Sequence, residues 1–150
     1  MAKSKYAKYV ITKPKLVTEL AFHDFKISDI SGFTFPDEVY LDSYILKGAK
    51  QWVDVCWIWE VPNPQTMPER HSHAFDEIVL LIGSNPKDLR DFGAEVEWWM
   101  GEGKNAEKFI IDTTTLIYVP KRLAHGPQIF RRVDKPILNI AIGLNAQQYG

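Results

Sequence analysis

Two histidines one residue apart, His71 and His73, are followed by Glu77 in the stretch ERHSHAFDEIVLLIGSN, Glu69 to Asn85. Neutral imidazole nitrogens and a carboxylate oxygen are ligands for first-row transition metals. In an extended strand, residues two apart project from the same face. His71, His73 and Glu77 therefore point one way if the strand runs on without a bulge, together with Phe75, Val79 and Leu81. The opposite parity, Ile78, Leu80 and Ile82, is also apolar, which predicts a central strand covered on both sides. Two imidazoles and a carboxylate facing an apolar interior are costly to bury without partners, and one divalent cation would satisfy all three. The competing reading is a polar strand end that happens to contain histidines. His125, one of four histidines in the chain, closes VPKRLAH where a strand stops and the chain turns back. A closed sheet would bring it opposite His71 and His73 as a further ligand; a surface turn histidine is the alternative. His23, in the N-terminal segment, is left over.

The elements that must position these residues read as strands. VYLDSYIL (39–46) alternates, KGAK (47–50) offers a turn, and WVDVCWIWEV (52–61) follows up to PNP (62–64). This predicts a hairpin with a loop of about four residues. Further strands are expected over 70–83, 94–100, 109–120 (one or two), 126–133 and 136–144, separated by Gly, Pro and Asn turns. Such a series predicts an all-β sandwich or barrel. A helix is expected only around KLVTELAFHDF (15–25).

Bulk properties narrow the partners. A chain of 150 residues is one domain by length, and a domain of this size buries about 68–70 % of its unfolded surface. Its 18 Lys and Arg nearly cancel 19 Asp and Glu, so no global field draws in nucleic acid or an anionic membrane. Lys3, Lys5, Lys8, Lys13 and Lys15 read as a solvated basic tail. A single cysteine, Cys56, excludes an intrachain disulfide and fits a reducing cytoplasm, with the thiol buried as a small hydrophobe. The N-terminus lacks the apolar core of a secretory signal, and IVLLI (78–82) is far short of the ~20 residues a membrane helix needs.

The chain resembles the cupin superfamily. The first cupin motif, a glycine, HxH, three or four residues, Glu and a closing glycine, appears as His71-Ser72-His73, three residues, Glu77 and then Gly83, one position early. The second motif's proline and histidine appear as Pro120 and His125. Arg122 replaces the intervening glycine, Thr114 the leading glycine and Ile129 the final asparagine, while Gln65 or a neighbour stands for the first-motif glycine. The resemblance spans roughly Glu69 to Phe130 and implies a cupin-type double-stranded β-helix, or jelly-roll barrel. Residues 39–150 would form that barrel and residues 1–38 an N-terminal extension packing on it. It also implies one divalent transition metal per chain on His71, His73, Glu77 and His125, with Fe, Mn, Zn, Ni, Co and Cu all compatible with those ligands. An octahedral ion would keep two positions for water, substrate or dioxygen.

Around such a site, Arg122 could grip a substrate carboxylate or be solvated. Trp57 and Trp59 share a parity with Val53 and Val55, and that face reads either as a substrate wall or as core or dimer packing. Phe75 shares the ligand parity and is a further substrate-wall candidate. Trp98 and Trp99 must point to opposite faces, Tyr118 reads as packing, and Arg131 and Arg132 as one inward and one outward residue. The function expected is metal-dependent chemistry on a small organic molecule, of dioxygenase, isomerase, lyase or decarboxylase type, with Glu77 as a possible general base. The alternative is a non-catalytic cupin that binds or senses a small ligand. Apolar residues on both faces of several strands suggest a homodimer.

Overall fold

The computed structural model describes residues 4–16, 37–63 and 69–148. Nine strands dominate them: β1 (Lys15–Leu16), β2 (Glu38–Leu41), β3 (Gln51–Ile58), β4 (Asp76–Gly83), β5 (Ala94–Met100), β6 (Glu107–Ile111), β7 (Thr115–Val119), β8 (His125–Val133) and β9 (Ile137–Leu144). They form a six-stranded sheet in the order β1-β2-β3-β9-β4-β7 and a three-stranded sheet in the order β6-β5-β8. Every pairing is antiparallel. The all-β architecture expected from the sequence is the architecture found. Among the described residues, no helix is long and apolar enough to cross a membrane.

The core lies between the two sheets. Trp52, Ile58, Val79, Leu81, Val119 and Ile137 from the large sheet meet Ala94, Val96, Trp98 and Phe130 from the small one. Strict alternation decides this in β4, where Glu77, Val79, Leu81 and Gly83 are buried and the intervening residues half-buried. β4 is central, between β9 and β7, but its outer face is only partly covered, not enclosed as the doubly apolar pattern predicted.

Several expectations are corrected by local backbone chemistry. β2 stops at Leu41, because the Asp42 carboxylate accepts from the N–H groups of Tyr44 and Ile45 and folds 42–46 into a turn. The hairpin loop is therefore longer than the four residues expected. The segment 109–120 is two strands in different sheets, β6 and β7. Lys15 and Leu16 are a strand on the edge of the large sheet rather than the start of a helix; the rest of 15–25, with His23, lies outside the described residues. In β8 a register shift opposite Glu95 and Val96 breaks the alternation. Arg131 and Arg132 are consequently both exposed, and Arg131 pairs with Glu97 at 2.8 Å. Tyr118 is 48 % exposed rather than packed.

The inner face of β3 carries Trp52, Asp54, Cys56 and Ile58, all buried, while Trp57 and Trp59 point outward at 40 % and 47 % exposure. Asp54 is held by the N–H of Ala141 at 3.0 Å. Neighbouring Asp37 is pushed up to about 8, first by burial and then by the negative charge of Asp54, so this pair carries roughly one negative charge at neutral pH. Cys56 is a buried thiol, as expected, and its Sγ donates to the Trp57 carbonyl at 3.5 Å.

Candidate metal centre

The segment ahead of β4 is not a continuous strand. His71 and His125 form an isolated bridge, each N–H donating to the other's carbonyl at 2.9 Å. The chain then bends, and the N–H of Arg122 donates to the His73 carbonyl at 2.7 Å. β4 begins only at Asp76. These bonds tie the entry to β4, in the large sheet, to the turn before β8, in the small one. The three imidazoles meet because of that stitching, rather than through the period-2 alternation the sequence suggested.

Arg122, where the family motif has a glycine, adopts the left-handed backbone at φ 66° that glycine favours. Its side chain is exposed. The turn shape survives the substitution, at a conformational cost to the arginine.

Each ring is oriented by the same device. His71 Nδ1 lies 2.7 Å from the Glu69 carbonyl, His73 Nδ1 2.9 Å from that of Phe75, and His125 Nδ1 2.9 Å from that of Leu123. A carbonyl only accepts, so each Nδ1 carries the proton and each neutral ring presents a lone pair on Nε2. Metal-binding histidines are oriented and tuned by just such a bond on the other nitrogen. The ligand atoms of the three lie within 4.8 Å of one another. Three nitrogens that share one ion, each about 2.1 Å from it, stand roughly 3.0–3.4 Å apart, so the rings must draw together to hold one. Exposure falls from His71 through His73 to His125, which is 1 % exposed, so the cluster opens to solvent on the His71 side.

Glu77 reaches two of the three, its Oε2 lying 3.2 Å from Nε2 of both His73 and His125. The His73 contact is a hydrogen bond; with Nδ1 donating to the Phe75 carbonyl, it requires a second proton on Nε2, which the ring gives up before it can bind a metal. The His125 contact has the distance but not the direction of one, and His125 Nε2 remains a buried atom without a hydrogen-bond partner. An inward lone pair of this kind is what a cation would take up, so the residues present fit a divalent transition metal.

Burial alone would raise the Glu77 carboxyl, but His125 and His73 overcome it and hold Glu77 at about 2. Burial also opposes charge on His73, yet Glu77 wins and His73 lies above its ordinary value. At His71 the surrounding protein disfavours the imidazolium more than the Glu69 carbonyl favours it, so that ring lies below its ordinary value although one side meets water.

Phe75 joins the site, as its parity suggested. It stacks on the His73 ring at 4.0 Å and 3° and meets Trp52 edge-on at 5.8 Å. Trp57 and Trp59 do not: they line a shallow depression of about 450 Å³ with Ser84 and Pro136 on the outer face of the large sheet. Trp98 and Trp99 do point to opposite faces, and it is Trp98 that is buried, 6.1 Å from the His125 ring; sequence reasoning passed over its buried strand partner Gln128. The available signal was Gln128 sharing the parity of core residue Phe130 in β8, a polar side chain at an inward position.

No protein-family model matches the chain, and no curated protein matches it by sequence. Solved structures do match. Oxalate decarboxylase from Bacillus subtilis, in a study of its Mn(II) centres, superimposes with a TM-score of 0.52 at 19 % identity, covering 76 % of this chain and 27 % of that one. The fold is that of the cupins. The same enzyme at pH 4.6 gives 0.52 and 18 % identity. Hydroxypropylphosphonic acid epoxidase from S. wedmorenis gives 0.48 and 12 % identity, covering 51 % of its own length. The chain thus spans between about a quarter and a half of the solved chains it resembles.

Proposed function

We propose that this cupin is a metal-dependent enzyme acting on a small organic molecule, with one divalent transition metal held by His71, His73, His125 and Glu77. The observation that carries the reading is the shared tethering of three Nδ1 atoms to backbone carbonyls, which turns three Nε2 lone pairs toward one another. When bound, such an ion supplies Lewis acidity toward a substrate oxygen, or a docking position for dioxygen. Dioxygenase, isomerase, lyase and decarboxylase types all use this chemistry, and the Mn(II) centres of the structural neighbour support counting manganese among the candidates. The chain's own residues orient the rings, shield one side of the site with Phe75 and Trp52, and leave the His71 side open for entry. We assign residues 39–150 to the cupin barrel and 1–38 to an extension packing on it, and the single, buried cysteine Cys56 supports a reducing, cytoplasmic setting.

One observation favours a second reading. A carboxyl held at about 2 is a weak base near neutral pH, which suits Glu77 to ligation better than to proton abstraction. A non-catalytic cupin that binds or senses a small ligand needs no such base. Turnover of small acids and phenolics by metal-loaded protein, in air and under nitrogen, separates the two; saturable binding without turnover in either gas would sink the enzyme.

Metal retention has a defined sign with pH. Protons compete for the imidazoles, while Glu77 stays ionised far below their range. Affinity should be nearly flat above pH ~7.5 and fall by more than about tenfold per pH unit below ~6, because several rings must lose protons together. Dialysis against a metal buffer from pH 8 to 5 checks this, and retention independent of pH would contradict imidazole ligation. In the metal-free protein, stability linked to His73 is present below ~6.5 and fades as pH rises through its raised value, whereas that linked to Glu77 is present above ~4.5 and fades as pH falls toward about 2.

We also infer a homodimer through the outer face of the large sheet, where Trp57, Trp59, Leu116 and Tyr118 are 40–57 % exposed on an otherwise apolar surface. Light scattering at micromolar concentration should give twice the chain mass, and Leu116→Glu should give the chain mass. A monomeric wild type removes the inference.

A further inference from the structure

Beside the histidines, two hydrogen-bond donors are buried without an acceptor. Trp98 on β5 and Gln128 on β8 are direct partners across the two strands, so their side chains share the inner face. Trp98 is 3 % exposed and Gln128 6 %. The indole Nε1 and the amide Nε2 have no hydrogen-bond partner among the described residues. A buried donor left unmade forfeits its hydration, and folded interiors keep few of them. Trp98 adjoins the metal centre, its ring 6.1 Å from the His125 imidazole and nearly parallel at 19°, and Gln128 stands beside Trp98 as its cross-strand partner.

We propose that Trp98 and Gln128 are the recognition pair for a small monocarboxylate, one oxygen of which faces the metal while the other accepts from the indole and amide N–H groups. The proposal rests on the metal-site reading above. Two donors select an acceptor, so an ammonium ligand is refused. Three neutral imidazoles and one carboxylate around a divalent ion leave about one positive charge, which matches a single negative charge on the ligand. No Lys or Arg is buried among the described residues to neutralise a second. Phe75, stacked on His73, presents an apolar surface to the ligand's hydrocarbon part. Phosphate, a larger dianion, fits this setting poorly.

The test uses the full chain loaded with zinc, which is diamagnetic, with metal content measured first. Titration with propionate should shift one indole N–H resonance downfield and saturably, and that resonance should be the one missing in Trp98→Phe. Propylammonium should shift none. By calorimetry, Trp98→Phe and Gln128→Leu should each weaken propionate about five- to tenfold, the loss of one hydrogen bond, with zinc content unchanged. Should either variant fail to fold, the Trp98 indole is assigned in the wild type by triple-resonance spectroscopy, and its shift decides alone. Protein that takes up no zinc removes the metal site and this proposal with it. Protein that holds zinc while propionate leaves the Trp98 resonance unmoved overturns the recognition pair and leaves the metal site standing.

Discussion

His125→Ala should reduce bound divalent metal from about one ion per chain to a small fraction of that. The loss in affinity should exceed the roughly 10–100-fold that follows removal of a mere orienting partner. Three features make this histidine decisive. It is 1 % exposed, its Nδ1 is fixed to the Leu123 carbonyl, and its Nε2 has no hydrogen-bond partner. The backbone bridge to His71 uses only main-chain atoms, so the variant keeps the stitching that shapes the mouth. His125→Leu, closer in volume, separates ligation from packing. It should lose metal as the alanine variant does, although it fills most of the volume that alanine leaves empty. His23→Ala should leave occupancy unchanged. Elemental analysis of the four proteins checks all of this, and equal occupancy in wild type and His125→Ala would remove His125 from the site.

Gly143→Ala should be the most destabilising methyl addition in the barrel. A Cβ at Gly143 would stand 2.0 Å from Nε1 of Trp52 and 2.3 Å from Cε2, inside the volume of the indole itself. The two residues are direct partners on β3 and β9, so neither strand can yield without disturbing the sheet. Trp52 is 3 % exposed and must leave its position. Overpacking of this kind costs about 2–3 kcal/mol, which for a chain of this size lowers Tm by roughly 4–12 °C. The displacement also passes along ring contacts, from Trp52 to Phe75 at 5.8 Å and from Phe75 to His73 at 4.0 Å. Metal affinity should therefore fall along with Tm, although position 143 is not a ligand. Thermal melting with and without metal reads both effects. A variant that melts like wild type would mean that Trp52 is not seated as described.

Much of the fold was legible, and the failures share a physical cause. Short runs of β-branched and aromatic residues between Gly, Pro and Asn turns marked nearly every strand. Period-2 reasoning went astray wherever the chain leaves the ideal ladder. It assumed a straight run from His71 to Glu77, whereas the carbonyls of His71 and His73 are claimed from across the barrel by His125 and Arg122. In β8 one extra residue turned Arg131 outward. In β3 both parities carry apolar residues, and Asp54 sits inward, so the sequence left Trp57 and Trp59 open between a substrate wall and core or dimer packing; both point outward. The proximity of His125 to His71 is a long-range fact, reached through resemblance to a known motif. Trp98 and Gln128 belong to no motif and emerge only from strand pairing.

X-ray absorption on protein purified with its native metal addresses the central claim most directly, because it counts imidazoles around the ion. The account predicts about one divalent ion per chain, with outer-shell scattering from three imidazole rings and nearby oxygen from a carboxylate. A stoichiometric ion with no imidazole signature, or no stoichiometric ion at all, would contradict it.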